Sequence, residues 1–250
     1  MKDAPILLMT ACINPNGMAH TAIQNVEDRM SQYMHAINFY LEQTVCKIVF
    51  CENSGIDISQ KYEHVVNHGR MEILTFRGND YNSQLGKGYG EYLIVAYALS
   101  HSKMLNDKEG GDKVIVKVSG RHIVRNIASL ISMNRLIVRN EAFVSAHINR
   151  KTKGAISDLY IATMDFHRLF VEHGCEIDES KGVWYEHVLY DAMRIYQEQR
   201  RGTVLNLPQP LVQMGCSGST GQTFPSPTPM DYLSSFLKCI VYRLGFVKLV

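Results

Sequence analysis

The amino-acid sequence predicts an α/β fold, a single domain with a mainly parallel sheet flanked by helices, followed by an amphipathic C-terminal helix. Three observations carry this. Short apolar runs alternate with segments of helical periodicity through most of the chain. Several of those runs end in clusters of polar and turn-forming residues. The 250 residues, 46% hydrophobic and 20% charged, are divided by no Gly/Ser- or Pro-rich linker, which suits one large domain better than two small ones.

The elements follow in order. Residues 6–13 form an apolar run closed by Asn14-Pro15-Asn16-Gly17, a buried first strand ending in a turn. Val26, Met30, Tyr33, Met34, Ile37, Tyr40 and Leu41 recur at three- and four-residue spacing and predict a helix. The β-rich run 45–50 leads into Cys51-Glu52-Asn53-Ser54-Gly55, and 71–76 reads as a third strand. After a polar loop, a helix is expected over about 91–105, a fourth strand over 114–118, and a helix from roughly 123. Strands at 142–148 and 158–163 follow, then a helix over 183–199 closed by Arg200-Arg201, cations suited to a helix C-terminus. Residues 1–205 thus make the main domain. Residues 206–229, with Gly215 to Gly221 and several prolines, read as a mobile segment. Residues 230–250 make the final helix, whose Tyr232, Leu233, Phe236, Leu237, Ile240, Val241 and Leu244 share a face.

A net charge of +2 gives no strong field, so nucleic acid is not an expected partner. Six cysteines stand far apart without a CxxC pair, and the ten histidines include no HExxH motif, so no protein-built zinc site is expected. The cysteines read as reduced thiols of a cytoplasmic protein. The first apolar run is short and broken by Thr10, unlike a secretion signal or a membrane span.

In a mainly parallel sheet the ligand crevice lies at the carboxyl ends of the strands. That points to the loop after Ile13, the loop after Phe50, and Ser119-Gly120-Arg121. Gly86-Lys87-Gly88-Tyr89-Gly90-Glu91 either brings backbone N–H groups and a lysine to an anion or only caps a helix, and it is neither a P-loop nor a dinucleotide fingerprint. Lys117 faces a polar site or snorkels to an edge. Arg121 can hold a diphosphate bidentately or belong to a surface charge pair at a turn. Glu52 and Asn53 can read a base or ribose, or form an Asx-type turn. Glu186, in Trp184-Tyr185-Glu186-His187, is a candidate general base among apolar neighbours or a helix-start acid favoured by the macrodipole.

Thr10-Ala11-Cys12-Ile13-Asn14-Pro15, Asn38-Phe39-Tyr40-Leu41, Cys51-Glu52-Asn53-Ser54-Gly55, Lys87-Gly88-Tyr89-Gly90-Glu91 and Lys117-Val118-Ser119-Gly120-Arg121, in this order, resemble bacterial glycosyltransferases of O-antigen and capsule (lipopolysaccharide) clusters. The resemblance covers roughly residues 5–200. It implies a Rossmann-like, GT-A-type domain that takes a nucleotide-sugar co-substrate. It implies nucleotide contacts from Thr10, Ala11, Asn14 and Pro15, with Glu52 and Asn53 near the base or ribose. Lys87, Gly88, Glu91, Lys117, Ser119 and Gly120 complete the implied donor site. Many enzymes of this type carry an Asp-x-Asp metal motif where this chain has Ser119-Gly120-Arg121. A divalent metal (Mn or Mg) is therefore not favoured, and Lys87, Lys117 and Arg121 are expected to neutralise the leaving diphosphate, with Glu186 activating the acceptor. The implied acceptor is a lipid-linked oligosaccharide, and the final helix, with Lys238, Arg243 and Lys248, suits peripheral contact with the cytoplasmic face of the inner membrane as well as docking on the core or a second copy. Two other readings compete: a sugar nucleotidyltransferase, which would want a basic loop after the first strand, and a non-catalytic carbohydrate-binding protein.

Overall fold

The computed structural model describes residues 4–18, 21–107, 113–139, 141–216 and 221–249. Strand β1 (Ile6–Ala11) is buried along its whole length, as expected of a parallel strand covered on both faces. Helix α1 (Val26–Gln43) starts at Asn25, whose side chain accepts from the Asp28 N–H, and buries Tyr33, Ala36, Ile37 and Tyr40 on one stripe. Strand β2 (Lys47–Glu52), helix α2 (Glu63–Asn67) and strand β3 (Met71–Thr75) complete the first half. Helices α3 (Gly86–His101) and α4 (Lys103–Asn106) then lead to β4 (Val114–Ser119). Beyond it come β5 (Ile123–Val124), α5 (Ile127–Val138), β6 (Phe143–Ala146) and the hairpin β7 (Ile148–Asn149) and β8 (Gly154–Ala155). Strand β9 (Leu159–Thr163), helices α6 (Met164–His173) and α7 (Tyr185–Glu198), strands β10 (Thr203–Asn206) and β11 (Gln213–Met214), and helix α8 (Pro229–Arg243) close the chain.

Seven strands form one sheet in the order β10-β6-β9-β4-β1-β2-β3. All neighbours run parallel except β9, which is antiparallel to both β4 and β6. The chain moves outward from β1 through β2 to β3, then crosses to β4 on the other side of β1. The topological switch point, where an open α/β sheet presents its crevice, therefore lies between the carboxyl ends of β1 and β4.

Three details depart from the sequence expectation. Helix α3 begins at Gly86, not near 91, because Glu179 reaches the helix start and accepts from the Gly88 N–H at 2.7 Å. The glycines lie inside the first turn, where a Cβ on Gly90 would stand 2.4 Å from the Tyr81 hydroxyl. Ile123 and Val124 are strand, paired antiparallel with β11, and the helix waits until Ile127. The segment expected to be mobile from residue 206 begins as packed chain: Leu207, Pro208 and Pro210 are buried and Gln213–Met214 pairs with β5. Residues 217–220 of its Gly-Ser stretch lie outside the described residues.

Helix α8 opens with a Thr228/Asp231 capping box and a proline in its first turn. Ser235, Cys239 and Tyr242 dock on the body, and Arg243 pairs with Glu141 at 2.8 Å. Met230, Leu233, Phe236, Leu237 and Leu244 stay exposed. Among the described residues no helix is long and apolar enough to cross a membrane.

Candidate active site

The loops at the switch point are tied together before any ligand arrives. The Gly120 N–H donates to the Thr10 carbonyl at 2.9 Å, joining the ends of β4 and β1. A Cβ on Gly120 would sit 2.7 Å from that carbonyl oxygen and 3.1 Å from the Tyr33 ring, so only glycine fits this approach. The Arg29 guanidinium and the Tyr33 hydroxyl both reach Cys12 and hold the turn after β1. Glu52 is fully buried, and its carboxylate accepts from the backbone N–H groups of Ile13, Ser54 and Ile56 at 2.9 to 3.0 Å and from the Ser54 hydroxyl. This corrects the expectation for Glu52: it staples the loops after β1 and β2 and has no oxygen to spare for a base or ribose. Asn14 belongs to the same stapling, its N–H donating to Ser54 Oγ and its carbonyl accepting from Asn79 Nδ2, both at 3.0 Å.

The loops, the start of α3 and the start of α7 surround a cleft of about 230 Å³. Of the residues singled out in the sequence, Thr10, Ala11, Pro15, Asn53, Lys87, Gly88, Glu91, Ser119, Gly120, Arg121 and Glu186 line it; Asn14, Glu52 and Lys117 do not. Lys117 points down from β4 beneath the floor, fully buried, and its ammonium meets Glu91 Oε1 at 2.5 Å and the Ser157 carbonyl at 2.6 Å. Tyr185 and Tyr160, their hydroxyls 3.1 Å apart, put ring centroids 5.2 and 5.9 Å from the ammonium. Its positive charge is thus spent inside the protein, and the expected contact with a diphosphate is replaced by a role in fixing Glu91.

Glu91 Oε1 also accepts from Thr10 Oγ1 at 2.8 Å and Ser119 Oγ at 3.2 Å, so one carboxylate oxygen knits α3, β1 and β4 together. Burial works to raise its pKa, but the charge and hydrogen bond of Lys117 and the Thr10 hydroxyl outweigh it and hold the group below the ordinary carboxylate range. Arg121 gives one guanidinium nitrogen to Gln32 Oε1 at 2.7 Å. The fork of a guanidinium leaves further donors for an anion. Glu186, in the first turn of α7, accepts from Ser157 Oγ at 2.6 Å.

Sequence reasoning missed Asp158. Strand β9 runs antiparallel to β4, so its first residues lie beside the last of β4, and the Ser119 N–H donates to the Asp158 carbonyl at 2.9 Å. The Asp158 carboxylate accepts from Gln213 Nε2 at 3.0 Å and stands 3.5 Å from His122 Nδ1. Burial pushes its pKa up, yet His122 and Gln213 pull harder and bring it to about 2. The only local signal was an acid just before an apolar run, which carries no address. Phe224 closes this side, its ring edge-on to His122 at 5.0 Å.

Glu91 and Asp158 already serve cations and donors of the protein, and among the described residues no group of three His, Cys, Asp or Glu side chains converges on one point.

No known protein family matches the chain and no curated protein matches its sequence. Solved structures similar to it include the inositol-1-phosphate CTP transferase of T. maritima, with TM-score 0.45, 11% identity, and 96% of this chain and 98% of that one covered. A cytidylyltransferase from Leptospira borgpetersenii has TM-score 0.43 and 13% identity over 97% and 88% of the chains. Mouse xyloside xylosyltransferase 1 has TM-score 0.43 and 8% identity over 83% and 86%. The likeness is loose and says nothing of what this chain binds.

Proposed function

We propose that the protein is a glycosyltransferase that moves a sugar from a nucleotide-sugar donor to a lipid-linked saccharide acceptor in bacterial surface-polysaccharide synthesis. The observation that carries the reading is the cleft itself. A cationic fork, Arg121, and a carboxylate held on a rigid helix, Glu186, face one crevice at the topological switch point of an α/β sheet. Its roughly 230 Å³ is below the about 300–1,000 Å³ usual for small-molecule sites, so the enclosed part suits the diphosphate and sugar, with the nucleoside lying outward along Pro15 and Asn53.

In this reading an acceptor hydroxyl attacks the anomeric carbon and the carbon–oxygen bond to the diphosphate breaks. The nucleoside diphosphate leaves with the electron pair, and the hydroxyl proton passes to the Glu186 carboxylate. Arg121, with Lys87 on the facing helix start, compensates the charge that grows on the leaving group. No step runs through a metal. A single displacement of this kind inverts the anomeric centre. Helix α8 supplies the peripheral contact with the cytoplasmic face of the membrane where such an acceptor resides.

A nucleotidyltransferase would need cations on the loop after β1 to meet a triphosphate; Cys12 to Met18 contains none. The test is a melting panel with UDP-, GDP-, CMP- and dTDP-sugars, each with manganese and with EDTA. At a hundred times the dissociation constant the right donor stabilises by about 2.7 kcal/mol, a rise of roughly 5–10 °C for a chain this size. We expect one nucleotide class to respond, in EDTA as in manganese, and Arg121→Ala to abolish the response. A response only with manganese refutes the metal-free site. Pyrophosphate release from a nucleoside triphosphate and a sugar 1-phosphate replaces the transferase reading with a nucleotidyltransferase. No response from any donor, in protein shown to be folded, removes both.

A further inference from the structure

Glu186 is a wall between two cavities. Behind it, away from the donor cleft, the β7–β8 hairpin and helix α8 line a second, larger and open cavity of about 730 Å³, of which Glu186 is also a lining residue. Its chemistry differs from that of the first. The hairpin turn brings Arg150 and Lys151, and α8 brings Lys238; all three are exposed, and none has an ion-pair partner among the described residues. Asp231, the acid on the same helix, is held by the Thr228 cap. Leu237 and Val241 furnish an apolar wall that continues outward into the exposed face of α8.

Three cations against the single carboxylate of Glu186 leave the lining net positive above an apolar wall, which matches a ligand with a phosphate group attached to an apolar chain. An inorganic anion would leave the wall unused, and a plain hydrocarbon would leave the cations unused. We propose that this cavity is the seat of the second substrate, a phosphate-bearing amphiphile. Arg150, Lys151 and Lys238 hold its anionic group, its chain lies along Leu237 and Val241, and its reacting end is directed at Glu186. The role as second substrate rests on the transferase reading above; the ligand chemistry of the cavity does not.

The test is calorimetric titration of the full chain with farnesyl phosphate, farnesol and inorganic phosphate, and sedimentation with phosphatidylglycerol vesicles. Farnesyl phosphate binds the wild-type protein at least tenfold more tightly than farnesol or inorganic phosphate does. The Arg150→Glu/Lys238→Glu variant weakens farnesyl phosphate tenfold or more while its nucleotide-sugar melting response stays unchanged. Lys151→Glu gives a second charge reversal should the double variant fail to fold. Equal binding of farnesyl phosphate by wild type and a folded charge-reversal variant overturns the proposal. So does farnesol binding as tightly as its phosphate, and so does vesicle binding without any farnesyl phosphate binding, which makes the face a bilayer contact only. Charge-dependent farnesyl phosphate binding in a protein that responds to no nucleotide sugar upholds the cavity and refutes the transferase reading.

Discussion

Replacing Lys117 by methionine keeps the length of the side chain and removes its charge, and the consequence can be worked out from the contacts. The fully buried ammonium donates to Glu91 Oε1 and to the Ser157 carbonyl. Without it, the Glu91 carboxylate keeps only the Thr10 and Ser119 hydroxyls, and the Ser157 carbonyl loses its donor. Removing one partner of a buried ion pair costs about 3–5 kcal/mol, whereas replacing both with neutral groups of similar shape is often nearly neutral. The lower figure applies, because the Glu91 side chain is 22% exposed to the cleft and partly solvated. We expect Lys117→Met to lose about 3 kcal/mol at pH 8, a fall of roughly 6–12 °C in melting temperature. Lys117→Met/Glu91→Gln should regain more than half of that. The pH dependence gives a second check. In the native protein Glu91 has a lowered pKa, so its contribution is present above the unfolded value and is lost as pH falls through the folded one. In Lys117→Met burial is no longer outweighed, the folded pKa rises above the unfolded one, and the penalty shrinks as acid protonates the group. The loss should therefore be smaller at pH 5 than at pH 8 in urea titrations of both proteins. Equal loss at the two pH values, or a double variant no better than the single one, would refute the reasoning.

Three further predictions concern the same crevice. Glu186→Gln should lower kcat by about 10²–10⁴, the usual contribution of a general base, while leaving donor affinity within twofold in nucleotide-sugar titrations; full activity removes the base assignment. Gly120→Ala forces a methyl group to 2.7 Å from the Thr10 carbonyl and should cost about 2 kcal/mol in urea unfolding, with weaker donor binding because β1 and β4 are spread apart. For Asp158→Asn the sign follows from a folded pKa of about 2 against an ordinary 3.8. The carboxylate contributes about 2 kcal/mol above pH 4, and this is lost as pH falls toward 2, so the variant should be less stable at pH 7 and approach the wild type in stability near pH 2.

The alternation of apolar runs and amphipathic segments made much of the architecture legible in the sequence. Strands 6–11, 47–52, 71–75 and 114–119 lie within or close to the predicted runs, because a strand covered on both faces must be apolar throughout and its period is local. The strand-end rule then pointed to the loops after Ile13 and Phe50 and to Ser119-Gly120-Arg121 without any knowledge of sheet order, and Pro15, Asn53, Ser119, Gly120 and Arg121 from those segments do line one cleft. Partnership was beyond reach. Lys117 and Glu91 each read as a ligand contact, because a charged residue in a sequence does not disclose which opposite charge the fold brings to it; only the packing of α3 on β1 and β2, beside β4 in the sheet, turned them into a pair. Glu52 read as a binding group for the same reason, when its four donors come from three residues of two loops. Asp158 entered the site because β9 runs antiparallel, and strand direction is set by how neighbouring strands pair, which the local period of two does not encode. The sequence by itself determined the elements and the end of the sheet where ligands gather, since both depend on periodicity along the chain. The tertiary structure decided which charges face the crevice and which lie beneath it holding the fold, since that depends on contacts between residues far apart in sequence.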